Sequence, residues 1–163
     1  QHTIGSRSAQ IRYAQLAEAL GVEVGQRAPM DQVRETVLRI RAAKGMVLDP
    51  LDHDTWSAGS FFTNPILEAD AADRLPAAAP RFDAGGGRVK TSAAWLISQA
   101  GIERGHALGA RASVSTKHSL ALTNRGGASS EDLASLARDV QGRVRETFGV
   151  HLVPEPVRLG IEL

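Results

Sequence analysis

The stretch LALTNRGGASSEDLASLARDVQGRVRETFG, residues 120–149, decides the fold class because it predicts a strand, a turn and a long helix in succession. Residues 120–123 are typical of a short strand, and the turn sequence of 124–127 ends it. Apolar residues then recur at helical spacing, which predicts one buried helix face. They are Leu133, Leu136, Val140, Val144 and Phe148. A serine can cap the start of this helix, and Gly149 is a typical left-handed stop.

Further elements are predicted on both sides of this stretch. Helical spacing indicates four shorter helices, over residues 13–20, 31–44, 66–75 and 91–100. Two short strands are predicted downstream, at 150–153 and 157–163, interrupted by Pro154-Glu155-Pro156. Helices and strands in this mixture, without regular βαβ alternation, predict an α+β fold with a mainly antiparallel sheet and packed helices.

Composition excludes several classes of function. The chain has 163 residues and a formal net charge of +1, with no basic stripe, so we expect neither a nucleic-acid nor a membrane partner. It has no cysteine, which excludes disulfides, iron–sulfur clusters and thiol chemistry and fits a cytoplasmic protein. No apolar run approaches the roughly 20 residues that span a bilayer. The chain begins at Gln1 rather than Met, from which we expect it to be the rear part of a longer protein.

The segment SAGSFFTNP, residues 57–65, is the strongest candidate for chemistry. Gly59 permits close approach of a backbone or a flat ligand, and Asn64 offers both a donor and an acceptor before Pro65 ends strand pairing. A hydroxyl held beside an apolar wall, as Ser60 is here, can give a proton to a nearby carbanion. The alternative is that the two phenylalanines are core residues and that Ser60 only bonds the backbone.

Three other patterns carry less weight. Residues 85–91 resemble a phosphate loop, but Val89 stands where that pattern needs a glycine before the lysine. Asp52-His53-Asp54 has no further ligand at metal-binding spacing, which favours a solvated acidic loop and predicts no metal site. His118 is predicted to be a hydrogen-bonded structural histidine.

Four blocks of the sequence resemble the UDP-N-acetylenolpyruvoylglucosamine reductase family, in the family's order. GSFFTNP is similar to the family motif G-S-F-F-x-N-P, and KTSAAWLISQAG to K-x-x-A-x-W-L-I-x-x-A/C-G. STKHSLALTNRGGASSEDL resembles S-x-K-H-x-L-x-L-x-N-x-G-x-A-x-x-x-D-L, and HLVPEPVRLG resembles L-x-P-E-V-x-x-x-G. The blocks cover most of residues 55–163, so the resemblance implies the substrate-binding domain of a flavoenzyme.

The resemblance also implies a reaction and its residues. Members of the family reduce UDP-N-acetylglucosamine enolpyruvate to UDP-N-acetylmuramate for peptidoglycan synthesis, with FAD as cofactor and NADPH as reductant. Ser60 matches the general acid that protonates C2 of the substrate after hydride transfer to C3. Glu155 matches a glutamate that helps to stabilise the enolate-like intermediate, with an ordinary glutamate of a surface turn as the alternative. Asn64 matches a residue that contacts the substrate.

Four further matches concern substrate binding. Arg41 and Lys44 correspond to the family's phosphate-binding R-x-x-K, and Tyr13 and Gln99 to residues near the sugar nucleotide. Three residues of spacing puts Arg41 and Lys44 on adjacent turns of one helix, where they could grip a diphosphate together or simply complement the helix end. Tyr13 could equally be an aromatic residue at the edge of the core, and Gln99 an exposed helix residue.

The resemblance implies three parts of the chain. Residues 1–45 would be the tail of an upstream FAD-binding module, 46–153 the substrate-binding domain, and 154–163 a terminal strand carrying Glu155. FAD would be held mostly by residues outside this chain, so none here is assigned to it. The alternatives are a non-catalytic sugar-nucleotide-binding domain and an α+β interaction domain. The chain departs from the family in a longer segment after Lys44 and in the extra Pro156, which displaces Arg158 relative to the family's flavin-side arginine.

Overall fold

The computed structural model describes residues 5–157 and 159–163, and its longest helix is α5 (Ser130–Phe148). The side chain of Ser129 accepts the N–H of Asp132, and the carboxylate of Asp132 accepts the N–H of Ser129 in return, which forms a capping box. Gly149 ends the helix with a φ of 67°, in the left-handed region that glycine tolerates. The predicted helix and both of its ends are confirmed.

The main sheet has three antiparallel strands, β1 (Ser57–Ser60), β5 (Ala112–Val114) and β6 (Ala121–Asn124). The strand order is β1-β6-β5, so β6 lies in the centre, where a strand was predicted. Helix α5 and a shorter helix, α4 (Ala93–Gln99), pack with this sheet around one apolar core. Its largest fully buried members are Phe62, Leu96, Ile97, Ile102, Leu136 and Leu152.

A second antiparallel sheet corrects the predicted helix at 66–75. Strands β2 (Ile66–Leu67), β3 (Phe82–Asp83) and β4 (Val89–Lys90) pair in the order β2-β4-β3. A helix, α3 (Ala69–Asp73), covers only the middle of the predicted range. Residues 66 and 67 are extended because they pair with the distant strand β4, a partner that local spacing cannot indicate.

The chain divides into two compact units, the first ending at Val47 and the second beginning at Leu48. The first unit contains α1 (Ala14–Leu20), which stops at Gly21, and α2 (Met30–Ala43). Both helices were predicted, and they contact each other. In the second unit a 3₁₀ helix (His53–Thr55) leads into β1.

The predicted strands at the end of the chain are not regular strands in the part that the structure describes. Phe62 and Pro154 form an isolated antiparallel bridge, and residues 155–157 and 159–163 contain no strand. Pro154 and Pro156 lack the N–H that a ladder needs, so pairing stops after one bridge. Arg158, which falls within the second of these predictions, lies outside the described residues.

Helices and antiparallel strands together confirm the predicted α+β fold class. Over residues 5–157 and 159–163, no helix has the length and apolar character needed to cross a bilayer. The same residues contain no cluster of three or more side chains able to hold a metal ion.

The hydroxyl of Thr91 leads to the first testable prediction. Thr91 lies just before α4 and is 0% exposed, and its Oγ1 has no hydrogen-bond partner among the described residues. A buried hydroxyl without a partner keeps its desolvation cost, so replacing it by a methyl group removes a penalty. We expect Thr91→Val to leave the free energy of unfolding unchanged or to raise it by about 1 kcal/mol. Chemical denaturation measures this, with Thr91→Ala, which leaves a gap, as the destabilised control.

Candidate functional site

Ser60 is the last residue of β1 and follows a bulge. Ser57 pairs with Thr123 and Ser60 with Ala121, so β1 has one residue more than β6 over this interval. Gly59 occupies the bulge with a φ of 82°, a conformation that side chains disfavour. A bulge bends the strand and re-aims the side chain that follows, which is Ser60.

The environment of Ser60 resolves the alternative left open by the sequence. Phe62 is 1% exposed and belongs to the core, whereas Phe61 and Ser60 are half-buried. The hydroxyl of Ser60 makes no hydrogen bond to any described residue. Phe62 is therefore a core residue and Phe61 packs against the core, as the alternative has it, whereas the hydroxyl of Ser60 does not bond the backbone.

Backbone pairing brings Glu155 next to Ser60. The N–H of Thr63 donates to the carbonyl of Val153 at 3.0 Å, and the N–H of Glu155 donates to the carbonyl of Phe61 at 2.9 Å. These bonds flank the bridge between Phe62 and Pro154. Glu155 is thus paired with the residue that directly follows Ser60, and its side chain is exposed.

Asn64 and Gln99 lie at opposite ends of α4. The side-chain oxygen of Asn64 accepts the N–H of Ala93, the first residue of that helix, at 2.9 Å. Gln99 is the last residue of α4 and is exposed. At a rise of 1.5 Å per residue, the two helix ends are roughly 9 Å apart. The structure therefore links Asn64 to the start of α4 but does not bring Gln99 to the same point.

The remaining candidates lie in the first unit. Tyr13 is the N-cap residue of α1 and is 77% exposed, so it is not an aromatic residue of the core. The ammonium of Lys44 donates to the side-chain oxygen of Gln15 at 3.0 Å, which brings Lys44 close to the start of α1. Arg41 is exposed and its side chain has no partner among the described residues. Tyr13 and Lys44 therefore lie near each other at one end of this helix pair.

Asp54 is a buried residue that the sequence did not reveal, because 52–54 was predicted to be a solvated acidic loop. Asp54 is 5% exposed, and its carboxylate accepts the N–H of Thr116 at 2.8 Å and its hydroxyl at 2.5 Å. The guanidinium of Arg125 donates to the same carboxylate at 3.1 Å. Burial by itself raises the pKa of Asp54, but hydrogen bonds from Thr116 and Ser115 and the charge of Arg125 outweigh it, so the pKa is lowered from its usual 3.8.

This lowered pKa predicts a loss of stability in acid. A carboxylate with a depressed pKa in the folded state contributes fully above its unfolded pKa and loses its contribution as pH falls through the folded pKa. We expect the stability difference between the wild type and Asp54→Asn to be constant near neutral pH and to shrink below the usual value of 3.8. Urea unfolding of both proteins across that range measures it. A difference that does not change with pH would show that the charge of Asp54 contributes nothing.

Comparison with known proteins places the chain in a family. The family model described as the C-terminal domain of UDP-N-acetylenolpyruvoylglucosamine reductase matches residues 49–159, which include β1, β6, α5 and Glu155. The chain belongs to this family. The resemblance of its four sequence blocks to the reductase family is thereby confirmed.

Individual reductases are similar over almost the whole chain. The protein named UDP-N-acetylenolpyruvoylglucosamine reductase from Streptomyces coelicolor is 61% identical over 166 residues, which cover 96% of this chain and 43% of the relative. The reductases of Cutibacterium acnes and Thermobifida fusca are 59% and 53% identical, over 98% and 94% of this chain. The chain spans less than half the length of these curated relatives.

Proposed function

We propose that this chain is the carboxyl-terminal part of an oxidoreductase that converts UDP-N-acetylglucosamine enolpyruvate to UDP-N-acetylmuramate. Since the chain belongs to the reductase family, one structural observation supports the proposal. A half-buried serine, whose hydroxyl makes no hydrogen bond to a described residue, follows a bulge and directly precedes the residue whose carbonyl accepts the N–H of a glutamate. Ser60 and Glu155 are the two residues to which the family resemblance gives catalytic roles.

Ser60 supplies the proton in this proposal. Reduction of the enolpyruvyl group adds hydride at C3 and leaves negative charge at C2, which must then gain a proton. A hydroxyl whose oxygen is not tied to another protein group can point its proton at that carbon. Glu155 is exposed and held by its backbone between two prolines, which restricts the directions that its carboxylate can take and supports its role beside the same carbon.

Gly59, the residue before Ser60, leaves room for a ligand to approach the backbone of β1. A Cβ added at Gly59 would meet no atom within 4 Å. FAD, when bound, supplies the hydride that it has received from NADPH. Because the chain covers less than half of its relatives, residues outside it would provide most of the FAD-binding surface.

Five residues are assigned to substrate binding. Asn64 contacts the substrate through the part of its amide that is not bonded to Ala93, and Gln99 contacts the sugar nucleotide. Arg41 and Lys44 bind the diphosphate and Tyr13 lies near the sugar nucleotide. Arg41 is the more available cation because the ammonium of Lys44 already bonds Gln15.

The proposal keeps the division into three parts. Residues 1–45 form the tail of an upstream FAD-binding module, 46–153 the substrate-binding domain, and 154–163 the segment that carries Glu155. The protein acts in the cytoplasm, where NADPH and UDP-sugars are available.

Rapid mixing of the full-length protein tests the function. Its bound flavin is reduced by NADPH without oxygen and then mixed with UDP-N-acetylglucosamine enolpyruvate. We expect the absorbance of oxidised flavin to return at a rate that depends on substrate concentration. Binding of the UDP-sugar without reoxidation of the flavin would contradict the proposal and favour a non-catalytic sugar-nucleotide-binding protein.

A further inference from the structure

The carboxylate of Asp54 is joined to a tight turn between β5 and β6. It accepts two hydrogen bonds from Thr116 and one from the guanidinium of Arg125, and Thr116 directly follows Ser115. Ser115 is 0% exposed. The carboxylate lies only three residues before β1, so it connects the start of that strand to the turn.

Two side chains of the turn, those of Ser115 and His118, accept hydrogen bonds from its own backbone. The oxygen of Ser115 accepts the N–H groups of Lys117 and His118 at 3.0 and 3.1 Å. The Nδ1 of His118 accepts the N–H of Leu120 at 3.1 Å, which confirms the predicted structural role of this histidine. These bonds hold the N–H groups of Lys117, His118 and Leu120, which links the orientation of Leu120 to the start of the turn at Ser115.

The last residue of the turn, Leu120, is hydrogen-bonded to the peptide group that joins Ser60 to Phe61. The carbonyl of Leu120 accepts the N–H of Phe61 at 2.7 Å. On the far side of the same residue, the carbonyl of Phe61 accepts the N–H of Glu155. The backbone of Phe61 is therefore hydrogen-bonded on one side to the turn and on the other to the Glu155 segment. Phe61 directly follows Ser60, the residue whose side chain the bulge orients.

We propose that Asp54 is a positioning residue of the reaction, which sets the direction of the Ser60 hydroxyl through the turn of residues 115–120. The inference rests on the proposed function of Ser60. Asp54 makes no hydrogen bond or ion pair with Ser60; it acts by fixing the Leu120 carbonyl, and with it the peptide after Ser60.

Stability alone is a weaker explanation of this buried charge. An ion pair taken out of water returns little net stability compared with apolar residues of the same volume, because desolvation offsets the attraction. A hydrogen-bonded carboxylate does, however, impose directions on its donors, which apolar packing does not. The three donor groups of Asp54 belong to Thr116, before β6, and Arg125, after it, so these directions help to hold the strand that pairs with β1.

The test uses Asp54→Ala in the full-length, flavin-loaded protein. We expect the reduction of flavin by NADPH to stay within about twofold, and reoxidation by the enolpyruvyl substrate to slow about 10- to 100-fold, because small errors of placement are costly at a reacting centre. Hydrogen exchange of the peptide covering residues 57–63 should become faster. Val144→Ala is the control for lost stability, because it leaves a cavity at a fully buried position of α5. It should change neither the reoxidation rate nor exchange at 57–63 while the protein remains folded.

A second pair of variants serves if Asp54→Ala does not fold. His118→Ala removes the acceptor for Leu120, whereas His118→Asn offers an oxygen to the same N–H. We expect slow reoxidation in the first and recovery of most of the rate in the second. The inference would be overturned if both His118 variants reoxidised the flavin at the wild-type rate. It would also be overturned if Val144→Ala slowed reoxidation as much as Asp54→Ala or His118→Ala. If Ser60→Ala is slow in the same series, the proposed function stands without the inference; if the wild type itself is not reoxidised, the proposed function has failed.

Discussion

Replacing Ser60 by alanine in the full-length protein is expected to slow reoxidation of the reduced flavin by substrate about 100-fold or more, which is the usual contribution of a positioned general acid. The substitution removes one oxygen that makes no hydrogen bond to a described residue, so no protein contact is lost with it. The half-reaction with NADPH involves no proton from Ser60 and should keep its rate. Rapid-mixing measurements of the two half-reactions separate these effects.

Ser57→Ala is the matched control for this prediction. Ser57 lies on the same strand, and its hydroxyl accepts the N–H of Gly59 at 3.3 Å, so this substitution removes a hydroxyl beside the bulge without removing the proposed acid. We expect its reoxidation rate to stay within about threefold of the wild type, the change that a weak local hydrogen bond produces. Unchanged reoxidation in Ser60→Ala would remove Ser60 from the mechanism. Equal slowing in both variants would attribute the effect to the bulge.

The parts of the fold that the sequence predicts are those determined by near neighbours. Helix α5 is specified by a cap, a repeating apolar face and a terminal glycine within 21 residues, 129–149. Its prediction needed no distant partner. Helices α1, α2 and α4 were predicted for the same reason, since each has helical spacing and ends at or just before a glycine with positive φ.

Elements that depend on distant partners were missed. Strand β2 pairs with β4, and nothing in Ile66 or Leu67 indicates that partner. Asp54 bonds Thr116 and Arg125, which are 62 and 71 residues further along the chain. An aspartate in a polar loop is usually solvated, so only the folded chain distinguishes the buried carboxylate of Asp54 from the half-buried Asp52 and His53 that precede it.

The candidate site shows the same division. The segment 57–65 was selected from its own residues, and Gly59 does take the conformation that makes a bulge. Its proximity to Glu155 arises from pairing between Thr63 and Val153, 90 residues apart, and was implied only by the family resemblance. Gln99 shows that closeness in sequence does not ensure closeness in the site. It shares a sequence block with Ala93, which Asn64 contacts, but it lies at the other end of α4.

The two adjacent phenylalanines provide the largest expected effect on stability. Phe62 is 1% exposed and packs in the core beside Phe61, with ring centroids 5.1 Å apart. Truncating a fully buried phenylalanine removes its apolar surface and leaves a cavity, which together cost about 3–5 kcal/mol. We therefore expect Phe62→Ala to lower the free energy of unfolding of the second unit by that amount. Hydrogen exchange of the α5 amides in the full-length protein measures it, because these amides exchange only when the core opens.

Phe82→Ala is the matched control, since Phe82 is 59% exposed and its truncation creates no core cavity. We expect this variant to change the protection of α5 by less than about 1 kcal/mol, as surface substitutions usually do. The comparison separates burial from residue type, because both variants lose the same side chain. If α5 protection fell equally in the two variants, Phe62 would not be a core anchor. The backbone bridge from Phe62 to Pro154, which holds Glu155 beside Ser60, would then need another source of rigidity than the packing of that ring.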